Sequence, residues 1–144
     1  MRSFVRAGVI TAALCSISAA TASAQKLEPV LRGVAQAWHR GNVGGITGLS
    51  ASAGISLDVD GNSVGPLGPR QSGAVLRRVF EGRESVSAAP SMSRTVGGQP
   101  ARAFGEITWT TRARGTTIPE RATVFVAFVQ EGDSWRITEI RLMR

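Results

Sequence analysis

The sequence predicts an α+β domain in which two to three N-terminal helices precede a run of mostly antiparallel strands. Three observations carry that prediction. Apolar residues recur at three- and four-residue spacing before Gly41 and again after Pro69, and they alternate at a period of two over most of the chain beyond Ser85. The composition, 42% hydrophobic and 19% charged over 144 residues, is that of a chain able to bury one core. The 17 glycines follow no fixed period, which excludes a collagen-like chain.

The first 24 residues read as an export signal. Arg2 and Arg6 form a basic start, an apolar run from Ala7 to Ala20 follows, and Ala22-Ser23-Ala24 supplies the small residues that a signal peptidase reads before Gln25. The run is too short for a comfortable transmembrane span of about 20 residues. Leu14 next to Cys15 argues against a lipid anchor. The expectation is one domain over residues 25–144, periplasmic or secreted, with no stable membrane insertion after cleavage. Loss of Arg2 and Arg6 lowers the formal charge from +7 to +5. The one Cys leaves with the signal, and one His remains, so the sequence offers no zinc cage, no disulfide framework and no Cys/His dyad. No metal-ligating set and no cofactor are expected.

In the remaining chain, Leu27, Val30, Leu31, Val34 and Trp38 form the stripe of a first helix, stopped at Gly41-Asn42. A short helical turn is expected over Val43–Leu49, weakened by Gly44 and Gly45. Ile55, Leu57 and Val59 then alternate with polar residues, Asp60-Gly61-Asn62 turns the chain, and Ser63–Leu67 is the hairpin partner. Pro69 opens a second long helix, with Ala74, Val75, Leu76, Val79 and Phe80 as its expected buried face and Glu81-Gly82 as its end. Ser85–Thr95 is a polar strand whose Pro90 marks an edge or a bulge. Long strands over Ala101–Arg112 and Thr117–Gln130 follow, and Gly132-Asp133 leads into a last strand, Trp135–Met143.

The order helix, short helix, strand, helix, four-strand meander resembles the nuclear-transport-factor-2-like superfamily, the cone fold shared by ketosteroid isomerase and the SnoaL-type polyketide cyclases. Ala37-Trp38-His39-Arg40-Gly41-Asn42 closes the first helix in the manner of these domains. The spacing of Gln71, Leu76 and Phe80, and the closing stretch Gly132-Asp133-Ser134-Trp135-Arg136-Ile137-Thr138-Glu139-Ile140-Arg141-Leu142, are similar to small exported bacterial domains of unassigned function. The resemblance spans about Leu27–Leu142. It implies helices packed in the concave face of a strongly curved sheet, a pocket inside the cone, and often a homodimer through the outer face of the sheet. It implies no activity, because one fold hosts many functions.

The chemistry that the superfamily's enzymes place in the cone is sparse here. There is no Tyr, which the ketosteroid-isomerase type of chemistry requires, and His39 is the single imidazole, placed at a helix end where a solvated or capping role competes with that of a general base. Asp58 and Asp60 share a strand face, opposite Ile55, Leu57 and Val59, so alternation assigns them a surface or turn role. In the last strand, strict alternation pairs Gln130 with Trp135, Phe128 with Ile137, Val126 with Glu139 and Val124 with Arg141. That sets Glu139 and Arg141 inside the cone as polar pocket groups and turns Ile140 and Leu142 outward beside Phe125. A bulge near Thr138 would instead make Glu139 and Arg141 surface charges. Trp109, Glu139 and Arg141 are therefore the candidate ligand-pocket residues, with core packing the competing role for Trp109. No catalytic residue is assigned.

The basic surplus is almost all Arg, in short clusters such as Arg77-Arg78 interrupted by acids. Without a continuous basic stripe and exposed aromatics it does not suit nucleic acid. The leading expectation is a non-enzymatic exported domain that binds a small apolar or amphipathic ligand or a protein partner. Its rivals are an isomerase-, dehydratase- or cyclase-like enzyme using a pocket carboxylate with an Arg, and a structural module that forms a homodimer or larger oligomer through the outer sheet face.

Overall fold

A computed structural model describes residues 25–144; the expected export signal, residues 1–24, lies outside the described residues. The first helix, α1 (Leu27–His39), buries Leu27, Val30, Leu31, Val34 and Trp38 along one stripe. Its stop is a Schellman motif, in which the Gly41 N–H donates to the Trp38 carbonyl at 3.1 Å and the Asn42 N–H to the Ala37 carbonyl at 2.8 Å. That motif needs a left-handed residue after the last turn, and Gly41 supplies it with φ 61°. Asn42 then caps α2 (Val43–Thr47), its side-chain oxygen accepting from the Gly45 N–H at 3.1 Å. Six consecutive residues thus end one helix and start the next.

The hairpin β1 (Ile55–Val59) and β2 (Asn62–Leu67) turns at Asp60 and Gly61, both with positive φ. Asp58 serves that turn, accepting from the Gly61 N–H at 3.0 Å and the Ser63 hydroxyl at 2.8 Å. Helix α3 (Pro69–Glu81) begins with the predicted proline. Its buried face is Ser72, Gly73, Leu76 and Val79, with Val75 and Phe80 half-buried; Ala74, expected inside, is exposed. The apolar stripe there is narrower than the run of apolar letters suggests, and the Gly73 backbone packs on Val43 and Thr47 in its place.

The meander consists of β3 (Arg83–Val96), β4 (Arg102–Ala113), β5 (Glu120–Glu131) and β6 (Ser134–Met143). With the hairpin it forms a six-stranded, open, mostly antiparallel sheet of order β2-β1-β6-β5-β4-β3, in which β1 joins β6 in parallel. β3 is the edge strand and its register shifts on both sides of Pro90, so edge and bulge are both realised. The three helices pack on one face of the curved sheet. The core is their stripe against Ile107 and Trp109, Val124, Val126 and Phe128, and Ile137, Ile140 and Leu142. Leu31 of α1 packs directly on the Gly105 backbone, where a Cβ would stand 2.5 Å from Leu31 Cδ2.

Strict alternation fails in β6. Phe128 faces Ile137, but Ala127 faces Glu139 and Val126 faces Ile140, so Thr138 is an extra residue, its hydroxyl donating to the Ala127 carbonyl at 3.3 Å. Parity flips there, and Ile140 and Leu142 enter the core at 1% and 2% exposure. Of the two registers open at the sequence level, the bulged one is found. The reason is hydrophobic: without the bulge, two large aliphatic side chains would face out and a Glu–Arg pair would have to be buried.

Candidate functional site

A cleft of about 760 Å³ lies where the ends of two helices meet the start of β3 and the end of β4. α1 delivers Trp38, His39 and Arg40 to it, and α3 delivers Arg77, Phe80 and Glu81. A single residue, Gly82, separates α3 from β3, so Arg83, Glu84 and Ser85 stand immediately beside the end of α3. Trp109 and Arg112 reach in from β4, and Arg114 from the following loop.

Three aromatic rings form the floor. Trp38, Phe80 and Trp109 meet edge to face, with centroids 5.0, 5.5 and 5.9 Å apart. The two indoles are fully buried, so they fill the cone's interior, and Phe80 is the half-exposed ring. Trp109 Nε1 donates to Ser85 Oγ at 2.9 Å, and Ser85 Oγ lies 2.8 Å from His39 Nδ1. The serine has one hydrogen. With Trp109 donating to it, its hydroxyl donates to a neutral His39, or turns toward the cleft when the imidazole itself is the donor. Trp38 Nε1, by contrast, is buried without a hydrogen-bond partner.

The rim is basic. Five arginines (Arg40, Arg77, Arg83, Arg112, Arg114) and two glutamates (Glu81, Glu84) line the cleft. Arg83 bonds Glu120 at 2.6 Å and the Thr111 hydroxyl at 3.1 Å, Arg112 bonds Glu84 at 2.7 Å, and Arg114 donates to the Glu81 carbonyl at 2.8 Å. The Arg83 guanidinium holds the Glu120 carboxyl below its ordinary value. The side chains of Arg40 and Arg77 have no hydrogen-bond or ion-pair partner among the described residues.

The structure divides the sequence-derived candidates. Trp109 is at the cleft and also in the core. Glu139 and Arg141 are not in the cone: the Thr138 bulge puts both on the outer face, paired with each other, with the guanidinium 5.9 Å from the Phe125 ring centroid. They border a separate groove of about 310 Å³ with Val96, Phe104 and Phe125. The oligomer face is corrected too, since Ile140 and Leu142 are core and only Phe125 of the three faces outward. His39 does not cap its helix but reaches across to β3. Sequence reasoning missed Arg40, Arg77, Phe80 and Ser85 as site residues. The readable signal was that both long helices end alike, with an aromatic and basic residues just before a glycine. Among the described residues no cluster of three or more His, Cys, Asp or Glu could hold a metal ion, and no helix is long and apolar enough to cross a membrane.

No family model matches the chain, and no curated protein does. Solved structures do match. A DUF4783 family protein from Bacteroides uniformis superposes with a TM-score of 0.64 at 16% identity, over 78% of this chain and 94% of that one. A protein of ketosteroid isomerase-like fold from Catenulispora acidiphila, in complex with trimethylamine, gives 0.62 at 17% identity, covering 80% and 84%. An NTF2 variant gives 0.60 at 11%, covering 80% and 94%. At these identities the likeness is one of fold, and the chain has the nuclear-transport-factor-2-like cone fold that its element order predicts.

Proposed function

We propose that this domain is a non-catalytic small-molecule binder whose site is the cleft at the ends of α1 and α3, acting outside the cytoplasm after removal of residues 1–24. One observation carries the reading. A cleft of about 760 Å³ joins an aromatic floor, surfaced by the half-exposed Phe80 ring, to a rim on which the Arg40 and Arg77 side chains are uncommitted among the described residues. An apolar lining with a few convergent polar groups is what a small-molecule site offers. The size suits a drug-sized ligand.

The two carboxylates that the sequence offers a cone enzyme are engaged elsewhere. Asp58 holds the β1–β2 turn and Glu139 pairs with Arg141 on the outer face. An enzymatic reading therefore passes to His39, favoured by its bond to Ser85, with the imidazole as general base. Among the described residues no carboxylate hydrogen-bonds His39, so binding is the better-supported function. The Catenulispora protein of similar fold holds trimethylamine, a cation at neutral pH. In this chain the rim arginines would repel such a ligand.

A homodimer is compatible with this reading. Phe104 and Phe125 lie 5.7 Å apart on the outer face, with Val96 45% exposed beside them. A second copy covering this patch would bury it without touching the cleft.

Native mass spectrometry of the protein, incubated with small-molecule extract of its host cells, tests the binding reading. Extra mass of small-molecule size, lost when Phe80 is changed to Glu, is expected. A bare spectrum for the wild type would contradict it.

A further inference from the structure

Resting on that reading, we infer that the ligand is an organic anion with a flat apolar body, its charged head held by Arg40 and Arg77. The groups left unpartnered around the cleft are mainly donors. Ser85 Oγ already accepts from Trp109 and bonds His39, the Glu81 carbonyl is covered by Arg114, and Glu84 is covered by Arg112. Among the described residues, the lining side-chain groups that remain are the guanidiniums of Arg40 and Arg77, the second ring nitrogen of His39, and the Glu81 carboxylate, a helical turn after Arg77.

The charge balance favours an anion. Lining arginines exceed lining glutamates by three, and by two once the Glu120 bound to Arg83 is counted. The C-termini of α1 and α3 both face the cleft and together contribute roughly one negative charge at most. One of them is already met by Arg114 on the Glu81 carbonyl. The field at the mouth is therefore positive. Arg40 caps α1 and Arg77 sits on α3, so the two uncommitted guanidiniums reach the cleft from different elements, and the half-exposed Phe80 ring lines it with them. A planar apolar body fits that ring, and guanidiniums suit carboxylate, sulfonate or phosphate oxygens alike.

A matched pair of fluorescent probes tests the inference: 8-anilinonaphthalene-1-sulfonate and N-phenyl-1-naphthylamine, which share a ring system and differ by the sulfonate. Both are titrated into the wild type, the double variant Arg40→Gln/Arg77→Gln, and the outer-face variant Phe125→Glu. Both arginines are exposed and unpaired, so the double variant should keep the wild-type circular dichroism and melting curve. The expected result is that the sulfonate binds one site per chain and more tightly than the neutral probe. It should weaken roughly tenfold or more in the double variant and with added salt, while the neutral probe is unmoved and Phe125→Glu changes neither. Equal binding of the two probes, sulfonate binding that survives the double variant, or sulfonate binding lost only in Phe125→Glu would each overturn the inference while leaving a binding domain. If neither probe binds, the cleft is not a binding site and the functional reading falls with the inference.

Discussion

The indoles of Trp38 and Trp109 meet edge to face 5.5 Å apart, yet only one has its N–H satisfied: Trp109 donates to Ser85 at 2.9 Å, and Trp38 has no partner. The asymmetry comes from topology. Trp109 lies opposite Ala88 in the β3–β4 ladder and finds a β3 hydroxyl, whereas Trp38 points from α1 into the junction of the two helix ends.

Ser85→Ala strands the second indole as well. Trp109 is 1% exposed, so water cannot replace the lost acceptor without rearrangement. The variant should be about 1–3 kcal/mol less stable in urea unfolding, more than an exposed serine would cost. An unchanged midpoint would mean that the Trp109–Ser85 bond is not formed in solution.

The approach of α1 to the sheet is tested at Gly105. The added methyl of Gly105→Ala would stand 2.5 Å from Leu31 Cδ2 and 2.8 Å from Cδ1, and Leu31 is itself 1% exposed. The expected cost is about 1–3 kcal/mol. Adding Leu31→Ala should recover part of it, so that the double variant is less destabilised than the sum of the singles. Simple additivity would show that the two residues do not touch.

The Thr138 bulge makes opposite predictions for neighbouring residues. Ile140→Asp buries a carboxylate in the core and should cost at least about 3 kcal/mol, visible as loss of cooperative melting. Arg141→Ala should stay within about 0.5 kcal/mol, since the residue is exposed on the outer face. Phe125→Glu should preserve the fold and, if copies associate through that face, convert dimer to monomer by light scattering. The reverse ranking of Ile140 and Arg141 would restore the unbulged register.

The Arg83–Glu120 pair gives a pH signature. Arg83, donating at 2.6 Å, keeps the Glu120 carboxyl below its ordinary value of 4.5. A carboxyl depressed in the folded state contributes stability that is complete above the unfolded value and is lost as the pH falls through the folded one. Wild type should therefore exceed Glu120→Gln in urea midpoint at pH 7, by a small margin because Glu120 is more than half exposed, and the gap should narrow as the pH falls below the ordinary value of 4.5. Parallel curves down to pH 3 would remove the pair's contribution.

The elements were legible because their signals are local. The Leu27-to-Trp38 stripe, Pro69 at a helix start, the Asp60-Gly61 turn and the strand alternation each report within a few residues, and their order predicts the cone fold. What was not legible is set by distant partners. The parallel pairing of β1 with β6 leaves no mark in either strand. The bulge at Thr138 shows only when Ile140 and Leu142 are weighed against Glu139 and Arg141 for one core face. Arg40 and Arg77 lie 37 positions apart in the sequence, and only the packing of the two helix ends brings them to one cleft.

The chain's three tryptophans allow the central claim to be tested in one spectrum. In a ¹H–¹⁵N correlation spectrum of residues 25–144, the indole signals of Trp38, Trp109 and Trp135 are followed while 8-anilinonaphthalene-1-sulfonate is added. Trp135 serves as the internal control, because its Nε1 is tied to the Gln25 carbonyl at 2.8 Å on another part of the molecule. The cleft account predicts that the Trp38 and Trp109 signals shift, because a probe stacked on Phe80 changes the ring environment that touches both indoles edge to face, and that Trp135 stays in place. Three stationary signals at saturating probe, or movement confined to Trp135, would contradict it.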